Sequence, residues 1–213
     1  MDPIKPMIRP HARAAARLHN IGLPRAFLTG LGETFLYHLY TALPECPSAF
    51  GYVWEEADGS VLGFIACAEN TGRVYRQALR RRGVRMALAI LLRVIRWSVL
   101  KSLVETLCYP SQVQHDRQEG LPPAEILSIA VEESTRGKGV GKRLIQTAFE
   151  EFRRRGIHQV RVVLGARNLT ANAFYKRCGF ELKTTRTQHG KPTNIYVAEI
   201  GAPATTPINK PAP

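Results

Sequence analysis

Between Glu125 and Arg155 an apolar run of strand length passes through a basic, glycine-rich turn into an amphipathic helix, and no other stretch restricts the chain as much. Glu125 to Val131 is apolar and bounded by prolines and polar residues, which predicts a buried strand. From Gly139 to Arg155 the apolar Leu144, Ile145, Ala148 and Phe152 recur at helical spacing, and Gly156 stands where a left-handed cap is expected. In the turn, Gly137, Gly139 and Gly141 remove side chains, so backbone N–H groups can converge at the positive end of the helix dipole. Arg136, Lys138, Lys142 and Arg143 add cationic charge. Such a turn suits a di- or polyphosphate. It is neither a GxxxxGK[ST] phosphate loop nor the GxGxxG of a dinucleotide fold.

The remaining elements fall around this unit. Ile4 to Arg9 predicts a first strand, His11 to Ile21 a helix with Ala14, Ala15, Leu18 and Ile21 inward, and the stretch after Gly32 a second helix stopped by Pro44. Ala49 to Glu55 alternates in polarity, Asp58-Gly59 is a hairpin turn, and Val61 to Cys67 is its partner strand. Val160 to Leu164 reads as a β-branched strand and Thr170 to Arg177 as a short helix ended by Gly179. Phe180 to Thr187 and Asn194 to Ile200 read as a last strand pair around His189-Gly190. This order predicts a mixed α/β (α+β) fold, a largely antiparallel sheet with a parallel portion, flanked by helices. Residues 1–200 are expected to form one domain, with a basic helical insertion at about 70–123 and a disordered, proline-rich tail at 201–213.

Composition removes several functions. The chain has 213 residues, room for one ordinary domain. Cys46, Cys67, Cys108 and Cys178 form no CxxC pair and have no histidine at ligand spacing, so neither a zinc site nor a disulfide framework is expected. The apolar stretch 84–104 is broken by Arg85, Arg93, Arg96 and Lys101, and a bilayer span needs about 20 nearly uninterrupted apolar residues. No signal-peptide core opens the chain, and a cytoplasmic location is the default expectation. The net charge of +13 is concentrated: nine basic residues and no acid lie between Asn70 and Val104. An apolar helix with basic edges at 73–101 could touch an anionic membrane surface. Nucleic-acid binding is disfavoured, because the aromatics do not interleave with the arginines and no helix-turn-helix spacing is visible.

Arg136, Gly139 and Gly141, placed between a strand and a helix, resemble the [Q/R]-x-x-G-x-[G/A] signature of the GNAT N-acetyltransferases. Asn168, Ala171, Ala173-Phe174-Tyr175 and Gly179-Phe180 match a second element of that family at its usual separation. The resemblance implies a GNAT-like sheet and acetyl-coenzyme A as co-substrate, without a metal. It implies that amides of Gly137, Lys138, Gly139, Val140 and Gly141, with Arg136 and Lys142 alongside, bind the pyrophosphate. It assigns Ile129, Ala130 and Val131 to backbone pairing with the pantetheine arm and to polarising the thioester carbonyl. Asn168 would bond the pantetheine or fix its loop, with Ala171 and Phe174 beside it, and Tyr175 would protonate the departing thiolate. Glu125, eleven positions before Arg136, looks like the glutamate that serves as base in histone acetyltransferases of the superfamily, with an ordered water as its competitor. Acetylases of ribosomal-protein N-termini carry a catalytic glutamate where this chain has Val163, which disfavours that branch.

The resemblance therefore implies transfer of an acetyl group from acetyl-CoA to a primary amine by direct attack in a ternary complex. The acceptor groove is expected from residues 22–48, with Phe27, Leu28, Phe35, Leu36, Tyr37 and Tyr40 beside Glu33, and from 70–123. Its basic character suggests a neutral or anionic small molecule, such as an amino sugar, over a polycation. Peptide acetylation, a basic nucleic-acid-binding protein and a non-catalytic CoA binder are the alternatives. A homodimer is left open. His115 and Asp116 lie in the basic insertion, and His11, His19, His38 and His189 show no partner in the sequence.

Overall fold

A computed structural model of the chain describes residues 2–24, 26–74, 76–77, 80, 120–188 and 190–201. Seven strands form one sheet in the order β1-β2-β3-β4-β5-β7-β6. They are β1 (Ile4–Pro6), β2 (Ala49–Glu55), β3 (Val61–Ala68), β4 (Glu125–Val131), β5 (Gln159–Gly165), β6 (Glu181–Gln188) and β7 (Lys191–Glu199). Every neighbouring pair is antiparallel except β4 with β5. This is the mixed, largely antiparallel sheet that the order of elements predicts. Helices α1 (Ala12–Gly22), α2 (Phe27–Leu31), α3 (Glu33–Ala42), α4 (Val140–Arg154) and α5 (Leu169–Arg177) accompany it, and residues 71–74 are helical as well.

The sheet divides the core into two layers, and strand alternation decides which residue enters which. On one face α1 and α3 pack against Val53, Phe64, Ala66, Ala68 and Ala130. On the other, α4 and α5 pack against Phe50, Ile65, Cys67, Ile126, Val160, Val162, Tyr196 and Ala198. Helix α4 reaches the sheet closely because β3 has a glycine beneath it: a Cβ at Gly63 would stand 3.3 Å from Val140 Cγ1.

Two local expectations change. Helix α1 turns Ala12, Ala15, Ala16, Leu18 and His19 inward and leaves Ile21 56% exposed, because in its last turn Gly22 is the residue that faces the sheet, where a Cβ would stand 3.0 Å from Ala130 Cβ. The short α2 was not predicted; five residues containing Gly30 carry too little periodicity to be seen. The tail from 202 and the main part of the basic segment, with Arg81 to Lys101, Cys108, His115 and Asp116, lie outside the described residues.

Candidate functional site

The parallel pair is the fold's irregularity. Strands β4 and β5 each run seven residues, yet they register only at Glu125 with Arg161 and Ile126 with Val162. Beyond these pairs the strands part. A bulge in β4 opposite Ala66/Cys67 of β3 coincides with the parting, and bulges re-aim a strand by inserting an extra residue. Ser128 to Val131 stay bonded to β3 on one side and turn their other backbone edge toward the split. Buried peptide groups need partners, so an extended polar chain laid in the split would be held by main-chain bonds. Ile129, Ala130 and Val131 line that edge.

The glycine-rich turn lies at the open end. A 3-10 turn over Glu133–Thr135 leads to Gly137 at φ 79° and Gly139 at φ 81°, conformations that cost an L side chain roughly 1–2 kcal/mol. A Cβ on either glycine would meet nothing within 4 Å, so the surface is kept bare although space for a side chain exists. Gly141 is different: a Cβ there would press on the Phe174 ring at 3.3 Å. Gly139 is the N-cap of α4, and no side chain caps that start. The first N–H groups of a helix have no partner within it, so the amides of Val140, Gly141 and Lys142 face outward with the dipole behind them. Arg136, Lys138 and Lys142 are exposed beside this cradle, whereas Arg143 is turned away: it stacks over Trp54 at 4.9 Å and bonds Asp2 at 3.2 Å.

Across the split, α5 begins at Asn168, whose side chain accepts from the Ala171 amide at 3.1 Å. Asn168 thus fixes its loop. Asn172, one turn on, is buried and donates to the carbonyls of Gly165 and Asn168 at 3.1 and 2.6 Å. Its Oδ1 accepts from Asn194 Nδ2 at 2.8 Å and Tyr196 Oη at 2.9 Å. This network ties the end of β5, the start of α5 and β7 into one unit. The spacing of Asn168 and Asn172, one helical turn, is the signal in the sequence that could have revealed it.

Tyr175 is 3% exposed and packs edge-on against Phe174 and Phe180, with ring centroids 5.2 and 5.3 Å away. Burial pushes its phenol pKa well up, and the thiols of Cys67 and Cys178 act the same way. The group is therefore a neutral O–H, which can donate. Cys67 is itself raised by full burial.

Glu125 sits elsewhere. It pairs with Ala68, whose side chain belongs to the α1/α3 layer, while Ile126 and Tyr175 belong to the α4/α5 layer. The structure thus puts Tyr175 and Glu125 on opposite faces of the sheet. Glu125 Oε2 accepts from Arg161 Nε and Thr71 Oγ1, both at 3.0 Å. Neither partner was expected from the sequence. A lone arginine among valines in a strand is a signal for one, since a buried charge needs an opposite charge; Thr71 gives no such signal.

The proposed acceptor stretch is only partly available. Phe35, Leu36 and Tyr40 are core residues, Leu28 and Tyr37 are half-buried, and nothing is described of the Phe27 side chain. Two histidines gain partners that the sequence did not reveal. His11 Nε2 lies 3.0 Å from Glu55, and His19 Nδ1 lies 2.6 Å from Tyr40 Oη with its pKa lowered to about 4 by burial. Among the described residues no group of three or more His, Cys, Asp and Glu is placed to hold a metal ion.

Known proteins resemble the chain in sequence over part of its length and in fold. Residues 103–180 match the acetyltransferase (GNAT) family. Over 60 residues, 28% of this chain and 26% of the relative, the chain is 45% identical to an uncharacterized N-acetyltransferase of Methanocaldococcus jannaschii. Over 76 residues, 36% of this chain and 25% of the relative, it is 32% identical to a mycothiol acetyltransferase of Saccharomonospora viridis. The chain thus spans about a quarter of the length of these curated relatives. In three dimensions it resembles a Salmonella typhimurium protein whose structure contains its cofactor acetyl-CoA, with a TM-score of 0.59, 14% identity, and 94% and 95% of the two chains covered.

Proposed function

We propose that the chain, whose residues 103–180 match the acetyltransferase (GNAT) family, is an N-acetyltransferase that transfers an acetyl group from acetyl-CoA to a primary amine by direct attack in a ternary complex. The observation that carries this reading is the parting of β4 and β5 after two registers, with the bare glycine turn at its open end. Acetyl-CoA, when bound, supplies the acetyl group as a thioester. The amides from Gly137 to Gly141, with Arg136 and Lys142, would hold its pyrophosphate. The free edge of Ile129, Ala130 and Val131 would bond the pantetheine arm and polarise the acyl carbonyl.

Proton traffic then divides by face. Tyr175 Oη, on the α4/α5 face, gives the proton that the leaving sulfur needs. Glu125, on the α1/α3 face, takes the proton that the amine must lose as the N–C bond forms and the C–S bond breaks. A donor and an acceptor on opposite sides of one sheet suit an amine that approaches from the side away from the sulfur. This separation supports the ternary complex.

For the acceptor we propose a neutral or anionic small amine, with an amino sugar as the first candidate. Strand register sets Arg161 and Arg186 on the same face as Glu125, and cations there disfavour a polycationic substrate. The similarity within 103–180 falls on the glycine turn, α4 and α5, so it carries the cofactor and not the acceptor. The test is thiol release from acetyl-CoA against a panel of amino sugars, amino acids, peptides, polyamines and aminoglycosides. Turnover with amino sugars or acidic amines is the expected result; a strong preference for polycations overturns the acceptor class.

A further inference from the structure

Glu125 is held unlike an ordinary residue at a strand end. Both of its hydrogen bonds, from Thr71 Oγ1 and from Arg161 Nε, converge on Oε2 at 3.0 Å. The side chains of Arg161 and Glu125 are 5% and 11% exposed, and Thr71 is buried as well. Among the described residues nothing bonds Oε1. The carboxylate is therefore fixed at one oxygen and open at the other. Its place in the fold matters equally, because Glu125 and Arg161 form one of the two registers at which β4 and β5 still touch.

A carboxylate buried without partners is expelled or neutralised. Two donors on one oxygen prevent that and also stop rotation about the terminal torsion, which is otherwise broad. We propose that Thr71 and Arg161 are positioning residues that clamp Oε2 of Glu125, so that Oε1 is presented on the α1/α3 face as the atom that receives the amine proton. This rests on the transferase reading above. In the step itself the amine N–H bond breaks and its proton passes to Oε1; the nitrogen pair forms the N–C bond, the C–S bond breaks, and the sulfur takes its proton from Tyr175. Atoms and charge balance within these groups and the two substrates.

The clamp predicts a pattern that stabilisation of the fold alone would not give. Thr71→Val keeps the shape and removes the donor, so kcat should fall about tenfold while KM for acetyl-CoA stays within about twofold, a loss of the size expected for one bond to a charged group. Thr71→Ser, which keeps the hydroxyl, should restore turnover. Arg161→Met should lose more than Thr71→Val, and Arg161→Lys should recover part, since an ammonium supplies charge without the guanidinium geometry. Glu125→Gln should lower kcat about a hundredfold. The measurement is steady-state thiol release on the full chain, with melting followed for every variant. Thr71→Val turning over like the wild type overturns the clamp, as does Thr71→Ser failing equally, or Glu125→Gln turning over like the wild type. A wild type that releases no thiol with any amine of the panel overturns the transferase reading and the clamp together.

Discussion

At the scale of single residues, Tyr175 offers the clearest division between chemistry and packing. Its ring packs between Phe174 and Phe180, and Tyr175→Phe keeps that ring while removing the hydroxyl. The variant should lose about a hundredfold in kcat with its melting temperature nearly unchanged, as thiol release and calorimetry would show. Gly139→Ala is the opposite experiment. The new methyl meets no neighbour, but φ is 81° and the cradle loses its bare surface; KM for acetyl-CoA should rise about tenfold or more, with a stability loss of roughly 1–2 kcal/mol. Both positions were legible in the sequence, since a glycine before a helix and an aromatic at fixed spacing are local patterns. The partners of Glu125 were not. Thr71 lies 54 positions from it and Arg161 lies 36 away, and only the pairing of strands brings them together.

At the scale of elements, the split depends on how firmly α5 and β5 hold their positions, and Asn172 is the joint. Asn172→Ala would leave the carbonyls of Gly165 and Asn168 with only the backbone amides of Asn168 and Asn172, and would remove the acceptor of Asn194 Nδ2 and Tyr196 Oη. Each buried group left without a partner costs about 1–3 kcal/mol. A loss of several kcal/mol is expected in denaturant melts, together with a raised KM for acetyl-CoA. Asn172→Asp, which keeps the oxygens but not the donor, should fall between. Strands such as β2 and β4 were readable because alternation or an apolar run bounded by prolines leaves few other choices. Ile21 was misplaced because the line of α1 that faces the sheet runs through Ala15, His19 and Gly22, and a glycine carries no apolar signal to mark it.

At the scale of the whole molecule, two bulk properties should respond to conditions. The pKa of His19 is lowered from 6.5 to about 4 by burial beside Tyr40. The unfolded chain therefore binds a proton between these values that the folded chain refuses. Stability from this group is complete above about pH 6.5 and is lost as pH falls toward 4, a change on the order of 3 kcal/mol. Melting temperatures from pH 7 to 4 should show the decline, and His19→Gln should flatten it. The cradle responds to salt instead. With Arg136, Lys138 and Lys142 exposed around it, KM for acetyl-CoA should increase several-fold from low to 0.5 M ionic strength. The net charge of +13 made attraction to a phosphate-rich ligand legible, but charge alone cannot choose among nucleic acid, lipid and cofactor. The parting of two strands is what favours the cofactor in our proposal, and strand divergence leaves no mark in a linear string of apolar residues.

That parting also has a kinetic signature. On the proposed mechanism, a gap through the sheet gives each substrate its own doorway, one per face, and each product leaves by the door its parent used. Neither visitor has to wait for the other. Initial-rate plots against the two substrates should intersect rather than run parallel, and free CoA should compete with acetyl-CoA while leaving the amine to bind undisturbed.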